Sequence, residues 1–301
     1  MKKGNHTKIY FENFPTFLEK TRERIENFLA KTLLKDLRNS GQLGNAMEYS
    51  LLNGGKRLRA AMTFSVEERL SVPQTVSNHI AASIECLHTC SLIHDDMPAI
   101  DNDDLRRGKP TCHIAFGEAI ALLAGDALLN LSHHFIHTIP RTLLSGDTIV
   151  NLSCYLSTVI GTEGLIGGQA AELSSPTGDK LYDIYYKKTG LLLGAGLKLM
   201  LITTSQAETP LAAQLEQFTY HLGIAYQIQD DLLDLESPAE ITGKNQLSDQ
   251  AADRHTMLAE VGVEKARELV AEHFKRAMGY LTPHQWPELE KVAHFIMRRK
   301  Y

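Results

Sequence analysis

Apolar positions recur every three or four residues along most of the 301-residue chain. Between Tyr10 and Leu37 the series Phe17, Leu18, Ile25, Phe28, Leu29, Leu33 and Leu34 marks one face of a helix. The same spacing runs through 76–96, 115–139, 147–173, 180–204, 209–235, 261–281 and 287–299. No stretch alternates convincingly with period two, so strands are not expected. Prolines are sparse and fall mostly at joints: Pro73, Pro110, Pro140, Pro176, Pro210, Pro238 and Pro283. There is no Ser/Gly-rich linker, low-complexity tract or short-period repeat. The pattern predicts an all-α fold in which 1–301 form one domain, a bundle of about ten helices.

Composition narrows the class. Hydrophobic residues make up 43% and charged residues 22%, as in ordinary globular chains. The 31 Lys+Arg against 36 Asp+Glu give a charge of -5, which argues against general nucleic-acid binding. No unbroken apolar run reaches the roughly eighteen residues of a membrane span. The best stretch, Leu191 to Thr203, is short and contains Lys198, so no stable membrane insertion is expected. The start, Met-Lys-Lys-Gly-Asn-His-Thr, has the charge of a signal peptide with no apolar stretch behind it, so a cytoplasmic location is expected. Cys86 and Cys90 stand four apart with His88 and His94 nearby, a conceivable metal set. Without a C-x-x-C pair they read as a helix face of small buried residues.

Candidate chemistry begins at His94-Asp95-Asp96-Met97-Pro98-Ala99-Ile100-Asp101-Asn102-Asp103-Asp104-Leu105-Arg106-Arg107-Gly108. Acids at the C-terminal end of a helix oppose its dipole and call for cations. Mg²⁺ takes oxygen ligands from one or two carboxylates plus substrate phosphates, and the adjoining arginines suit phosphate oxygens. A solvated acidic loop is the bland alternative. A second cluster, Gln227-Ile228-Gln229-Asp230-Asp231-Leu232-Leu233-Asp234, shifts the balance. Asp230 and Asp234 share one helix face, where their repulsion needs an offset. Either cluster alone is weak; two on mostly apolar helices are far less easily accidental and point to a metal–phosphate site. Gly54-Gly55-Lys56-Arg57-Leu58-Arg59 adds three cations at a helix start without P-loop spacing. It reads equally as an anion site or a solvated turn. Lys187-Lys188-Thr189-Gly190 and Gly243-Lys244 are weaker still.

In this order the residues resemble the trans-type polyprenyl diphosphate synthases of the short-chain bacterial and plastid kind. The resemblance runs from about Tyr10 to the end. It rests on G-G-K-R-L-R at 54–59, D-D-M-P-A-I-D at 95–101 with D-D-L-R-R-G after it, and A-G-D-A-L-L at 124–129. G-G-Q at 167–169, K-T-G at 188–190 and Q-D-D-L-L-D at 229–234 complete the series. It implies an isoprenoid synthase-like bundle around a deep central cavity, with the two acidic motifs facing each other across its mouth. By the same resemblance Asp95, Asp96, Asp101, Asp230, Asp231 and Asp234 bind Mg²⁺, which holds the diphosphate of an allylic substrate. Arg106, Lys188 and Lys244 match cations on that diphosphate. Lys56, Arg59, His88 and Arg107 match the pocket for isopentenyl diphosphate, and Thr189 and Gln227 line the reaction centre. The implied reaction is ionisation, condensation and elimination, with a homodimer as the working unit.

Some positions depart from the family pattern. Ala60 stands where proline is common, which should alter a helix start but not the charge. Arg254 replaces a lysine that usually meets the allylic diphosphate; it keeps the charge with a different shape. Glu172 follows G-G-Q where aspartate is more usual. Product length rests on the position five before Asp95, about 7.5 Å down the helix. Bacterial farnesyl enzymes usually carry an aromatic residue there; here Cys90 and its neighbour Ser91 are small. Small residues argue for a geranylgeranyl (twenty-carbon) product, and the overall likeness to bacterial enzymes argues for farnesyl (fifteen-carbon), the reading preferred here. Met200 and Phe135 are other candidates for the floor. A class I terpene cyclase usually lacks the second acidic motif and the G-G-K-R-x-R pocket. A metal-dependent phosphohydrolase needs more histidine ligands. A non-catalytic partner subunit is expected to lose an acidic motif.

Overall fold

A computed structural model describes residues 14–174, 177–236, 256–281 and 286–298. Among them the chain forms fourteen α-helices, one π-helical turn and one two-stranded ribbon. In chain order these are α1 (Phe14–Arg38), α2 (Gly41–Leu52), α3 (Leu58–Phe64), α4 (Gln74–Asp95), β1 (Leu105–Arg106), β2 (Lys109–Pro110), α5 (Cys112–Phe116) and α6 (Glu118–His137). There follow α7 (Gly146–Ile160), α8 (Leu165–Glu172), α9 (Lys180–Tyr185), the π turn (Tyr186–Gly190) and α10 (Leu191–Thr203). The last are α11 (Pro210–Glu236), α12 (Met257–Val261), α13 (Val263–Tyr280) and α14 (Pro287–Arg298). The all-α expectation holds. The predicted stretch 147–173 divides into α7 and α8, because Gly161 and Gly164 interrupt it.

The helix bearing the first acidic motif is central. On one side of α4, Ile80, Ile84 and Leu87 join a buried cluster with Leu152 and Leu156 of α7 and Leu193 and Leu197 of α10. On another, Ala82, Cys86 and Cys90 join a cluster with Ile25 and Leu29 of α1 and Ala121, Ala124 and Leu128 of α6. A helix buried on two sides cannot shift without disturbing both clusters, so its C-terminal end is a fixed platform. A third cluster gathers Leu181 and Tyr185 of α9, Ile224, Ile228 and Leu232 of α11, and Met257 of α12. It supports the helix carrying the second motif.

Two helical spans, Glu118–His137 and Gly146–Glu172, are long and apolar enough by length and composition to cross a membrane. The core helix of a soluble protein meets the same test, and neither span is an unbroken apolar run. Leu122 and Leu123 of α6 and Val150 of α7 are about half exposed, at 49%, 51% and 59%.

Candidate active site

The chain leaves α4 in a tight return. Ile100 and Asn102 donate backbone N–H bonds to Met97 O, and Asp101 N donates to Asp95 O at 2.9 Å. Asp101 is thereby folded back over Asp95. A hairpin follows, with Arg106 opposite Lys109. Its two turn residues, Arg107 and Gly108, both have positive φ (55° and 74°), as a tight primed turn requires. The hairpin swings Arg106 back onto the helix end. Its Nε donates to both Asp96 carboxylate oxygens at 2.8 Å, and Nη2 also bonds Oδ1. Asp96 is buried and fully engaged by this pair. Asp95 is different. Burial pushes its carboxyl up to about 6, opposed by Lys188 and Arg106 and reinforced by Asp101 and Glu172. It therefore stands within electrostatic reach of Glu172 and Lys188, which are themselves ion-paired.

Glu172 ends α8, and Lys188 lies in the π-helical turn, a local widening that often marks functional sites. Gly223 of α11 lies against it so closely that a Cβ there would be 2.3 Å from Gly190 Cα, so only glycine fits. The approach brings Thr189 to α11, where its hydroxyl donates to Gln227 Oε1 at 2.9 Å. Gln227 Nε2 donates in turn to Asp231 Oδ1 at 3.3 Å. The other Asp231 oxygen accepts from the Tyr185 hydroxyl at 2.7 Å. Burial nonetheless pushes Asp231 up to about 6, and Asp230 and Asp234 add to the shift. Consecutive residues thus reach both acidic motifs: Lys188 acts on Asp95, and Thr189 connects through Gln227 to Asp231.

The basic group forms a third part of the site. Arg107 Nη1 donates to Gly54 O at 2.6 Å. Its guanidinium lies over Gly55, where φ is 113° and a Cβ would meet Arg107 Cζ at 2.8 Å, so glycine is required twice over. Lys56 is exposed. Burial, then the charges of Arg59, Arg107, Arg106 and Arg57, hold His88 well below the usual imidazole value. His88 Nδ1 is buried with no hydrogen-bond partner. A buried orphan nitrogen among arginines suits an incoming anion. Arg57, read from the sequence as one of three cations in the turn, points inward instead and is buried.

Cys90 is buried, in the same cluster as Ala121 and Ala124 of α6, with Sγ 3.9 Å from His94 Nδ1. The Ser91 hydroxyl donates back to His88 O. Phe135 and Met200 are fully buried. A cavity of about 340 Å³ lies along α6 and α7, lined by Asp126, Leu129, Asn130, His133, Ser157 and Ile160. Lys244 and Arg254 lie outside the described residues. Sequence reasoning did not find Tyr185 or Glu85 as parts of the site. Tyr185 leaves no signal in the sequence, whereas Glu85 is a lone acid in an apolar helix three residues before His88.

Among the described residues no three His, Cys, Asp or Glu side chains form a ready-made metal cage. The Asp95 and Asp231 carboxyls, both pushed up to about 6 by burial, nonetheless supply oxygen donors of the kind that suit a hard cation arriving with phosphates.

The polyprenyl synthetase family model matches residues 40–293. The chain is 37% identical over 269 residues to the farnesyl diphosphate synthase of Geobacillus stearothermophilus, covering 88% of this chain and 90% of that one. It is 38% identical over 273 residues to the large subunit 1 of the chloroplastic heterodimeric geranylgeranyl pyrophosphate synthase of Arabidopsis thaliana, covering 88% and 72%. The structure matches a Helicobacter pylori geranyltransferase complexed with magnesium and isoprenyl diphosphate, with a TM-score of 0.78, 30% identity, and 95% and 96% of the two chains covered.

Proposed function

The chain belongs to the polyprenyl synthetase family and is a prenyltransferase; on that premise we propose that it joins isopentenyl diphosphate to dimethylallyl or geranyl diphosphate, with farnesyl diphosphate as its main product. The observation that supports the reading is that consecutive residues serve both acidic motifs: the Lys188 charge favours ionised Asp95, and Thr189 hydrogen-bonds Gln227, which in turn bonds Asp231.

Asp95, Asp96, Asp101, Asp230, Asp231 and Asp234 would hold Mg²⁺ as oxygen donors, Asp96 and Asp231 being oriented by protein hydrogen bonds. The bound metal supplies Lewis-acid neutralisation of the leaving diphosphate. Arg106, Lys188, Lys244 and Arg254 hold that diphosphate and draw charge onto it as the allylic C–O bond breaks. The bonding pair leaves with the diphosphate. The π electrons of isopentenyl diphosphate, held by Lys56, Arg59, His88 and Arg107, form the new C–C bond. A proton then passes to the released diphosphate and a double bond forms. Thr189 and Gln227 line the reaction centre, and the apolar walls exclude water from the cation.

The fifteen-carbon product is supported by the likeness to the Geobacillus enzyme; the small Cys90 and Ser91 favour twenty carbons. A homodimer is supported by the exposed Leu122, Leu123 and Val150 on α6 and α7. Incubation with isopentenyl and geranyl diphosphates and Mg²⁺, followed by mass spectrometry, tests the reading. Farnesyl diphosphate is expected; a protein that leaves isopentenyl diphosphate unconsumed refutes it.

A further inference from the structure

Arg57 and Glu85 form an ion pair sealed from solvent, each side chain 2% exposed. Two buried charges are costly to desolvate, and such a pair is often matched in stability by apolar residues. Its retention calls for a purpose other than stability. The geometry shows what the pair constrains. Arg57 Nη1 donates to Glu85 Oε2 at 3.1 Å, and Nη2 donates to Leu51 O at 2.7 Å. Nε reaches Glu26 Oε1 at 3.4 Å. The second Glu85 oxygen accepts from Ala60 N at 3.1 Å. Ala60 is the residue standing where the family commonly has proline, which could not donate this bond. Arg57 itself has φ 48°, a left-handed conformation that a non-glycine residue holds only under constraint.

One carboxylate on α4 therefore fixes both ends of the segment from Leu51 to Ala60. Between those ends lie Gly54, Gly55 and Lys56, with Arg107 bonded to Gly54 O. Arg59 directly precedes Ala60. His88, with its orphan nitrogen, follows Glu85 by one helical turn. Burial and the charges of Arg57 and Arg106 lower the Arg107 guanidinium below its usual value, and Glu85 opposes that shift through space.

We propose that Glu85, acting through Arg57, is a positioning residue that sets the cationic pocket for the diphosphate of isopentenyl diphosphate. The inference rests on the substrate assignment made above. Glu85 touches no substrate; it decides where Lys56, Arg59 and Arg107 stand relative to His88.

The test compares Glu85→Gln, which keeps the shape and loses the charge, with Arg57→Lys and Glu26→Gln. KM is measured separately for isopentenyl and geranyl diphosphates. Binding of inorganic pyrophosphate to the metal-free protein in EDTA is measured by calorimetry. Glu85→Gln should raise KM for isopentenyl diphosphate about tenfold and weaken pyrophosphate by a similar factor, as expected for charge-assisted positioning. KM for geranyl diphosphate and kcat should stay within about threefold. Arg57→Lys should shift in the same direction, and Glu26→Gln, altering only the outer edge of Arg57, by about two- to threefold. Unchanged KM for isopentenyl diphosphate in folded Glu85→Gln, or equal rises for both substrates, overturns the proposal. If Glu85→Gln does not fold, unchanged values in both other variants overturn it. A wild-type chain that does not consume isopentenyl diphosphate refutes the substrate assignment instead, and pyrophosphate binding still reads the effect of Glu85.

Discussion

The two acidic motifs solve the same electrostatic problem by different means. Each has one aspartate turned into the protein: Asp96 in the first, Asp231 in the second. Asp96 meets a full positive charge, Arg106, delivered by its own hairpin. Asp231 meets two neutral donors, Tyr185 and Gln227, from different turns of the fold. The first motif thus carries a full counter-charge in its own hairpin, while the second relies on neutral dipoles, one from its own helix and one from α9. Charge-assisted bonds are about twice as strong as neutral ones. The difference teaches that the first motif is largely formed before substrate arrives, and that the second depends more on what binds there.

The largest test of this contrast is loss of metal ligation. Asp95→Ala should lower turnover about a thousandfold, the scale of losing a key electrostatic stabiliser. Its folded stability should change little, because Asp95 is a partly buried carboxylate whose charged form the metal-free fold disfavours. Steady-state kinetics beside a thermal melt checks both halves, and an active Asp95→Ala enzyme would sink the proposed site.

Next in size is the cost of removing each partner. Arg106→Gln should destabilise the chain by about 3 kcal/mol, since it leaves Asp96 buried without its cation. Tyr185→Phe should cost about 2 kcal/mol, since its hydroxyl loses the bond it donates to the half-buried Asp231 and the one it accepts from Met257 N. Urea denaturation of the two variants gives the ratio directly. Equal losses would erase the contrast between the motifs.

A smaller effect is pH dependence. Asp95 and Asp231 are both pushed up to about 6 in the folded chain, against about 4 when unfolded. Between those values the folded state binds more protons, so these groups make metal-free stability fall as pH rises from about 4 through about 6. Their stabilisation is fully present below the unfolded value and lost above the folded one. Asp95→Asn should flatten part of that fall, as read from melts across the window. A slope identical to wild type would show that Asp95 is not the group responsible.

Much of this was legible in the sequence. Pro73 precedes α4 and Pro210 opens α11, and both helices fall where the apolar spacing put them. The two acidic clusters and K-T-G were visible as motifs, and the structure hydrogen-bonds Thr189 to Gln227 and ion-pairs Lys188 with Glu172. Other features were not readable. Strands of two residues are too short to carry a period-two pattern, so the hairpin that returns Arg106 left no trace. The π turn arises inside an uninterrupted helical pattern and shows only through packing against Gly223. Arg57 reads as a surface cation because sequence gives charge but not direction; only its contact with Glu85 turns it inward.

The most direct measurement of the central claim is product analysis with isopentenyl diphosphate and dimethylallyl or geranyl diphosphate, with and without Mg²⁺. The account predicts Mg²⁺-dependent consumption of isopentenyl diphosphate, release of inorganic diphosphate and farnesyl diphosphate as the main product. Hydrolysis or cyclisation of the allylic substrate with isopentenyl diphosphate left intact would contradict it.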